Sequence, residues 1–346
     1  MSRPVCAIVS FRLGGTDGVS VVAATWSTIL HDFGFDVALV AGEGAGISRI
    51  VVGLELGADH EPARAAVVAA LSDAQLVIVE NLCTIPMNLP AARVVAGVLR
   101  GRPAILHHHD PAWQRPQWAH VTELPPDDAS WRHVTINRLS EGELAARGIA
   151  ATTIYNGFDP NPPAGRRNST RHALGVGAGE ILVAHPVRAI SRKAVPAAVR
   201  LAEELGATYW LLGRAEDGYG PELEQVLADA RCRVVHRPCP GTMADAYAAA
   251  DLIAFPSTWE GFGNPPIEAA LHRRPVAVGP YPVSHELRAF GFRWFDSAAP
   301  TPIRAYLAHP DEAMLDANQR VARERFSLDH VADDLRALLA AQGWLP

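Results

Sequence analysis

Two carboxylates, Glu260 and Glu268, stand with seven residues between them in the stretch STWEGFGNPPIEAA, residues 257–270. Gly261 and Gly263 flank Phe262 in this interval, and Asn264 leads into a proline pair. Asn264 reads as an N-cap with Pro265 at the first helical position, which predicts a helix from about residue 265. Backbone N–H groups at a helix start attract phosphate or sugar oxygens. The glycines let a ligand come close to the chain. Each carboxylate accepts from two hydroxyls, and a sugar ring presents vicinal hydroxyls. The ligand expected here has an anionic middle held by the turn and a sugar gripped by each acid. Read alone, the same stretch is a capped helix with one favourable glutamate in its first turn.

A second constellation precedes it. HPVRAISRKAV, residues 185–195, sets Arg188 and Lys193 five positions apart across a short loop. By itself this is a solvated basic loop. Facing a ligand, the guanidinium fork and the ammonium point charge neutralise a diphosphate. Near the amino terminus, FRLGGTDGVS (11–20) ends a strand in Gly14 and Gly15, and a helix follows Asp17 and Gly18. HHHD (107–110) closes another strand, where His107 and His109 share a face and His108 opposes them. A metal needs further ligands at defined positions, and no cysteine or acid spacing supplies them. No metal site is expected.

The elements that must position these residues recur with one rhythm. VCAIVSF (5–11), GVSVVAATWSTILHDFG (18–34) and DVALVAG (36–42) read as strand, helix, strand, with AQLVIVEN (74–81) and PAILHHHD (103–110) after them. SRIVVG, after residue 47, reads as another strand. A second series begins with EILVAHPVR (180–188) and runs through TYWLLGR, CRVVHRP, LIAFPS and RPVAVG. Short β-branched runs alternating with helical patterns indicate βαβ units and parallel sheets buried on both faces. The Asn-Gly, Asp-Pro and Pro-Pro steps in IYNGFDPNPPAGRRNSTR mark a linker. The domains expected are 1–160 and 161–325, with an amphipathic closing helix in 326–346. Two doubly wound domains facing a central cleft follow, and ligands of such sheets lie beyond the carboxyl ends of the strands.

Composition bounds the function. The 346 residues, 49% apolar and 20% charged, are long enough for two domains, and a net charge of -6 argues against a nucleic-acid binder. Cys6, Cys83, Cys232 and Cys239 form no C-x-x-C pair and read as thiols of a reducing compartment. No apolar run reaches the roughly 18 residues of a spanning helix, and the amino terminus lacks a signal peptide's apolar core. A cytoplasmic protein without stable membrane insertion is expected.

Together, Arg188-x4-Lys193, PS-x2-Glu260-GFGN-x3-Glu268, the linker IYNGFD and the FS before the last helix resemble the retaining glycosyltransferases of the GT-B fold, family 4. The resemblance covers nearly the whole chain. It implies that Glu260 holds the donor sugar's hydroxyls and Glu268 the ribose hydroxyls. The backbone of Gly261, Phe262, Gly263 and Asn264 would contact sugar and phosphate, and Arg188 and Lys193 the β-phosphate. Gly15 would belong to the glycine loop facing the donor, and His109 would lie near the anomeric centre. Asp110 is expected to orient His109 or to bind acceptor. Glu80, Asn81, Trp113 and Arg115 are the remaining candidates for the acceptor wall. Val187 departs from the pattern, since the family usually has Gly before the Arg.

The implied reaction is retaining, metal-independent transfer of a hexose from a nucleotide-diphosphate sugar to a small polar or glycosidic acceptor, with no cofactor beyond the co-substrate. UDP-glucose is the first donor expected and GDP-mannose the next. The alternatives are a nucleotide-sugar epimerase or hydrolase of the same fold, and a catalytically silent sugar-nucleotide binding protein. Intact Arg188, Lys193, Glu260 and Glu268 speak against the silent form. A dinucleotide oxidoreductase is set aside, because in VAGEGAGI the last glycine position of G-x-G-x-x-G is Ile47.

Overall fold

The computed structural model describes residues 3–15 and 17–346. The chain forms two units, one of Met1–Gly157 with Leu328–Pro346 and one of Phe158–Ser327. Each is built on a parallel sheet.

In the first unit the strands are β1 (Val5–Leu13), β2 (Asp36–Gly44), β3 (Arg49–Ile50), β4 (Ala74–Glu80), β5 (Ala104–His108), β6 (Trp131–Thr135) and β7 (Ala151–Thr153). Among the described residues they lie in the order β3-β2-β1-β4-β5-β6-β7. Successive side chains of a strand point to opposite faces, so β1 serves two cores. Cys6 and Ile8 pack with Trp26, Leu30, Leu335 and Leu339. Ala7 and Val9 pack with Val67, Ala91, Val95 and Leu99 on the other side. This two-sided burial is why the strand reads as a continuous apolar run. The helix Gly18–Asp32 starts where Asp17 accepts from the Ser20 N–H, as expected.

The second unit has β8 (Leu182–His185), β9 (Thr208–Leu211), β10 (Val234–His236), β11 (Leu252–Phe255), β12 (Val276–Val278) and β13 (Phe295–Asp296), in the order β10-β9-β8-β11-β12-β13. Both sheets reverse their winding beside the first strand of the unit, at β1/β4 and β8/β11. The carboxyl ends of those strands are where such sheets bind ligands. The expected class, two doubly wound α/β domains, is the class observed.

Three local expectations change. The helix Asn264–Leu271 starts one residue early: Asn264 is its first residue and Gly263 the cap. The strand expected in SRIVVG is reduced to Arg49–Ile50, at the edge of the sheet, with Ile50 and Val52 exposed. The closing helix, Leu328–Ala341, is part of the first unit, its Val331, Leu335 and Leu339 completing that unit's core.

Candidate functional site

β8 and β11 are adjacent and parallel, so the loops leaving their carboxyl ends meet. The β8 loop carries Arg188 and, in a single 3-10 turn, Ser191–Lys193. The β11 loop carries Glu260. Lys193 Nζ and Arg192 Nη1 each lie 2.5 Å from an oxygen of Glu260, one cation to each oxygen. Arg192 also donates to the Trp259 carbonyl. Lys193 and Glu260 are both buried. Burial pulls the Lys193 ammonium down to about 8 against the attraction of Glu260. Burial alone would raise Glu260, but Lys193 and Arg192 outweigh it and hold the carboxylate below its ordinary range. Arg188 is different: its side chain is 39% exposed and donates to Glu216 over 2.7 Å.

Val187 fits this loop without glycine geometry. It is buried and is absent from the positive-φ residues. The close approach falls to Gly213, where an added Cβ would sit 2.2 Å from the Val187 carbonyl oxygen.

Past Glu260 the chain turns through Gly263, whose φ is 104°. A Cβ there would lie 2.2 Å from the Tyr281 hydroxyl oxygen, which itself donates to the Phe262 carbonyl. No side chain caps the helix that follows. Phe262 is buried, stacked on Phe158 and edge-on to Phe326, so its ring belongs to the core. Glu268 accepts from the Tyr247 hydroxyl. Burial raises its pKa, with the Tyr247 hydrogen bond opposing.

In the first unit, Gly15 is exposed after β1. Glu80 ends β4 and pairs in register with His107 on β5. It is fully buried, not part of an accessible wall as expected. Its Oε1 accepts from His107 Nδ1 at 3.1 Å and its Oε2 from His109 Nε2 at 2.7 Å. The two histidines do share a face, as the strand period requires, and the neighbouring strand adds a carboxylate that accepts from both, which sequence spacing did not reveal. The potential ligand atoms of Glu80, His107 and His109 lie within 4.8 Å of one another. Asn81, also buried, accepts from the backbone N–H groups of His109 and Asp110 at 3.1 Å each, clamping the two strand ends. Asp110 does not orient His109; it is paired with Arg115. Trp113 donates to Glu143 at 2.8 Å, beneath the Arg147 guanidinium.

Of the predicted residues, Lys193 and Glu260 meet in the second unit, where Arg188 and Glu268 pair with Glu216 and Tyr247 instead. Gly15, Glu80, Asn81, His109 and Asp110 lie at strand ends of the first, with Arg115 paired to Asp110 from a following turn. Sequence reasoning missed Arg192, Tyr247 and the role of His107. A second basic residue beside Lys193 was the only signal for Arg192. Tyr247 lies 21 positions from its partner, with no local pattern to mark it.

Residues 189–289 match the family described as Glycosyl transferases group 1. The chain is 22% identical to the mannosylglucosylglycerate synthase of Thermotoga maritima, over 80% of this chain and 81% of that protein. It is 24% identical to the mannosylglucosylglycerate synthase of Petrotoga mobilis, over 82% and 84%. Among solved structures it resembles HepE of Anabaena in complex with UDP and glucose. The TM-score is 0.80 and the identity 21%, covering 97% of this chain and 99% of that one. At that identity the likeness establishes the fold. Among the described residues no helix is long and apolar enough to cross a membrane.

Proposed function

Since the chain is a glycosyltransferase of the GT-B fold, we propose that it moves a hexose, with retention, from a nucleotide-diphosphate sugar to a hydroxyl of a small polar acceptor. The observation carrying this reading is the buried contact of Lys193 and Arg192 with Glu260. A phosphate-type cation and a sugar-type acid share one place at the ends of β8 and β11. In the transfer, negative charge grows on the leaving diphosphate while the sugar gains oxocarbenium character. Lys193, Arg188 and the helix start near Gly263 meet the first need, and fixed donors of this kind each contribute about 3–4 kcal/mol. With these cations present, the reaction requires no divalent metal. The leaving phosphate helps deprotonate the acceptor on the same face, which preserves the anomeric configuration.

UDP-glucose is the first donor, in keeping with the HepE complex with UDP-glucose. A second reading is mannosyl transfer to a glucosylglycerate, favoured by the two mannosylglucosylglycerate synthases among the relatives. Glycerate glycosides are therefore acceptors to try in either reading, and the proposed reaction needs no cofactor.

Thermal stabilisation by UDP, GDP, UDP-glucose and GDP-mannose separates the readings. A ligand at a hundred times its Kd adds about 2.7 kcal/mol. A shift with UDP and UDP-glucose alone supports the first donor, and one with the guanine pair alone supports the second. No shift with any nucleotide sugar speaks for a silent fold. The anomeric proton of the product then tests retention by NMR, and an inverted product refutes the same-face route. Unchanged turnover in EDTA is expected.

A further inference from the structure

The group at the ends of β4 and β5 is more ordered than a binding wall needs. Glu80 is fully buried, and each of its oxygens accepts from one histidine. Burial alone would raise this acid, but His107 and His109 bring it to about 2, so it stays a carboxylate. Burial pushes His107 below its ordinary value, against the attraction of Glu80. A carboxylate only accepts, so the proton of His109 must sit on Nε2. Its Nδ1 has no hydrogen-bond partner among the described residues.

The surroundings pack against this arrangement on two sides. Trp26 stacks on His107 with ring centroids 4.2 Å apart, and His107 meets the His109 ring at 4.5 Å. Asn81 adopts φ 59° directly after Glu80, and its side chain holds the backbone of His109 and Asp110. A buried carboxylate is costly unless it is fully paired. If only core stability were at stake, an apolar side chain would fill this position at no such cost.

We propose that Glu80 is a positioning residue: it fixes the proton of His109 on Nε2, so that Nδ1 stands as a hydrogen-bond acceptor for a hydroxyl of the bound sugar. This rests on the glycosyl-transfer reading for the identity of the hydroxyl, but not for the tautomer. His107 is the second donor that completes the carboxylate's hydrogen bonds.

The test combines 15N NMR of histidine-labelled protein, without ligand, with kinetics. Signals of His109 are identified by their loss in His109→Gln. The expected wild-type pattern near neutral pH is a protonated Nε2 and an unprotonated Nδ1. Glu80→Gln keeps the shape but offers one carbonyl and one amide, so one imidazole faces an N–H and its tautomer reverses or mixes. With it, kcat should fall about 10²-fold while the donor KM stays within about twofold. Glu80→Asp, which keeps the charge, should recover part of the loss. Circular dichroism of the variants checks that they fold. A wild-type His109 protonated on Nδ1, or a Glu80→Gln protein with unchanged kcat, overturns the proposal. So does stoichiometric binding of Zn²⁺ by the wild type that is lost in Glu80→Gln, since Glu80, His107 and His109 would then be a metal site. The expected tautomer in a protein that transfers no sugar supports the role of Glu80 and counts against the transfer reading alone.

Discussion

Lys193 carries its charge in a place that opposes it. Its lowered pKa, about 8, means that the free site loses an ammonium as pH rises through that value, and diphosphate affinity should weaken there. Calorimetric titration of the protein with the nucleoside diphosphate across pH 7–9 checks this. Lys193→Arg, whose guanidinium does not titrate there, should flatten the profile. Stability responds oppositely. Between about 8 and 10.5 the unfolded chain binds more protons at this group than the folded one, so its contribution rises with pH. Lys193→Ala should lower kcat roughly 10²–10³-fold. If Arg188 binds phosphate as proposed, it would give up only a half-exposed pair with Glu216, worth about 1 kcal/mol or less. The two acids should separate in assays. Glu260→Ala should blur discrimination among donor sugars before nucleotide affinity changes, and Glu268→Ala should do the reverse. Swapped effects would exchange their roles.

At the scale of the element, the turn before Asn264–Leu271 depends on one residue. Gly263 combines a left-handed φ of 104° with the Tyr281 hydroxyl at the place its Cβ would occupy. Gly263→Ala should cost about 1–3 kcal/mol and weaken diphosphate binding, read as a Tm several degrees lower and a raised Kd. The sequence marks this turn through its glycines and prolines. It suggests Asn264 as the cap because asparagine caps helices well. The choice of Gly263 depends on Tyr281, 18 positions away, which no local pattern contains. His109 is similar. Its strand and its face are legible from the alternation in HHHD, but its partner Glu80 comes from the adjacent strand, and Asp110, its neighbour in sequence, is engaged elsewhere.

For the whole molecule, the last helix is the telling element. Leu335 is fully buried in the core of the first unit, although its chain position follows the second. Leu335→Ala should destabilise by about 2–5 kcal/mol. Hydrogen exchange should place the lost protection in Val5–Leu13 and Gly18–Asp32, leaving the strands of the second unit unchanged. Equal losses in both units would contradict this assignment. The amphipathic pattern of the helix was readable, but the unit it completes was not.

The sequence by itself determined the alternation of strands and helices, the two-domain class and the charged residues at strand ends. These rest on periodicities of two and 3.6 residues and on turn chemistry, all of which act over a few neighbours. Only the tertiary structure decided which polar groups meet: Arg192 with Glu260, Tyr247 with Glu268, and Glu80 with two histidines. Those meetings follow from strand order and from burial. Both arise when the sheet assembles segments distant in the chain, and a carboxylate removed from water must then take whatever donors the neighbouring strand brings.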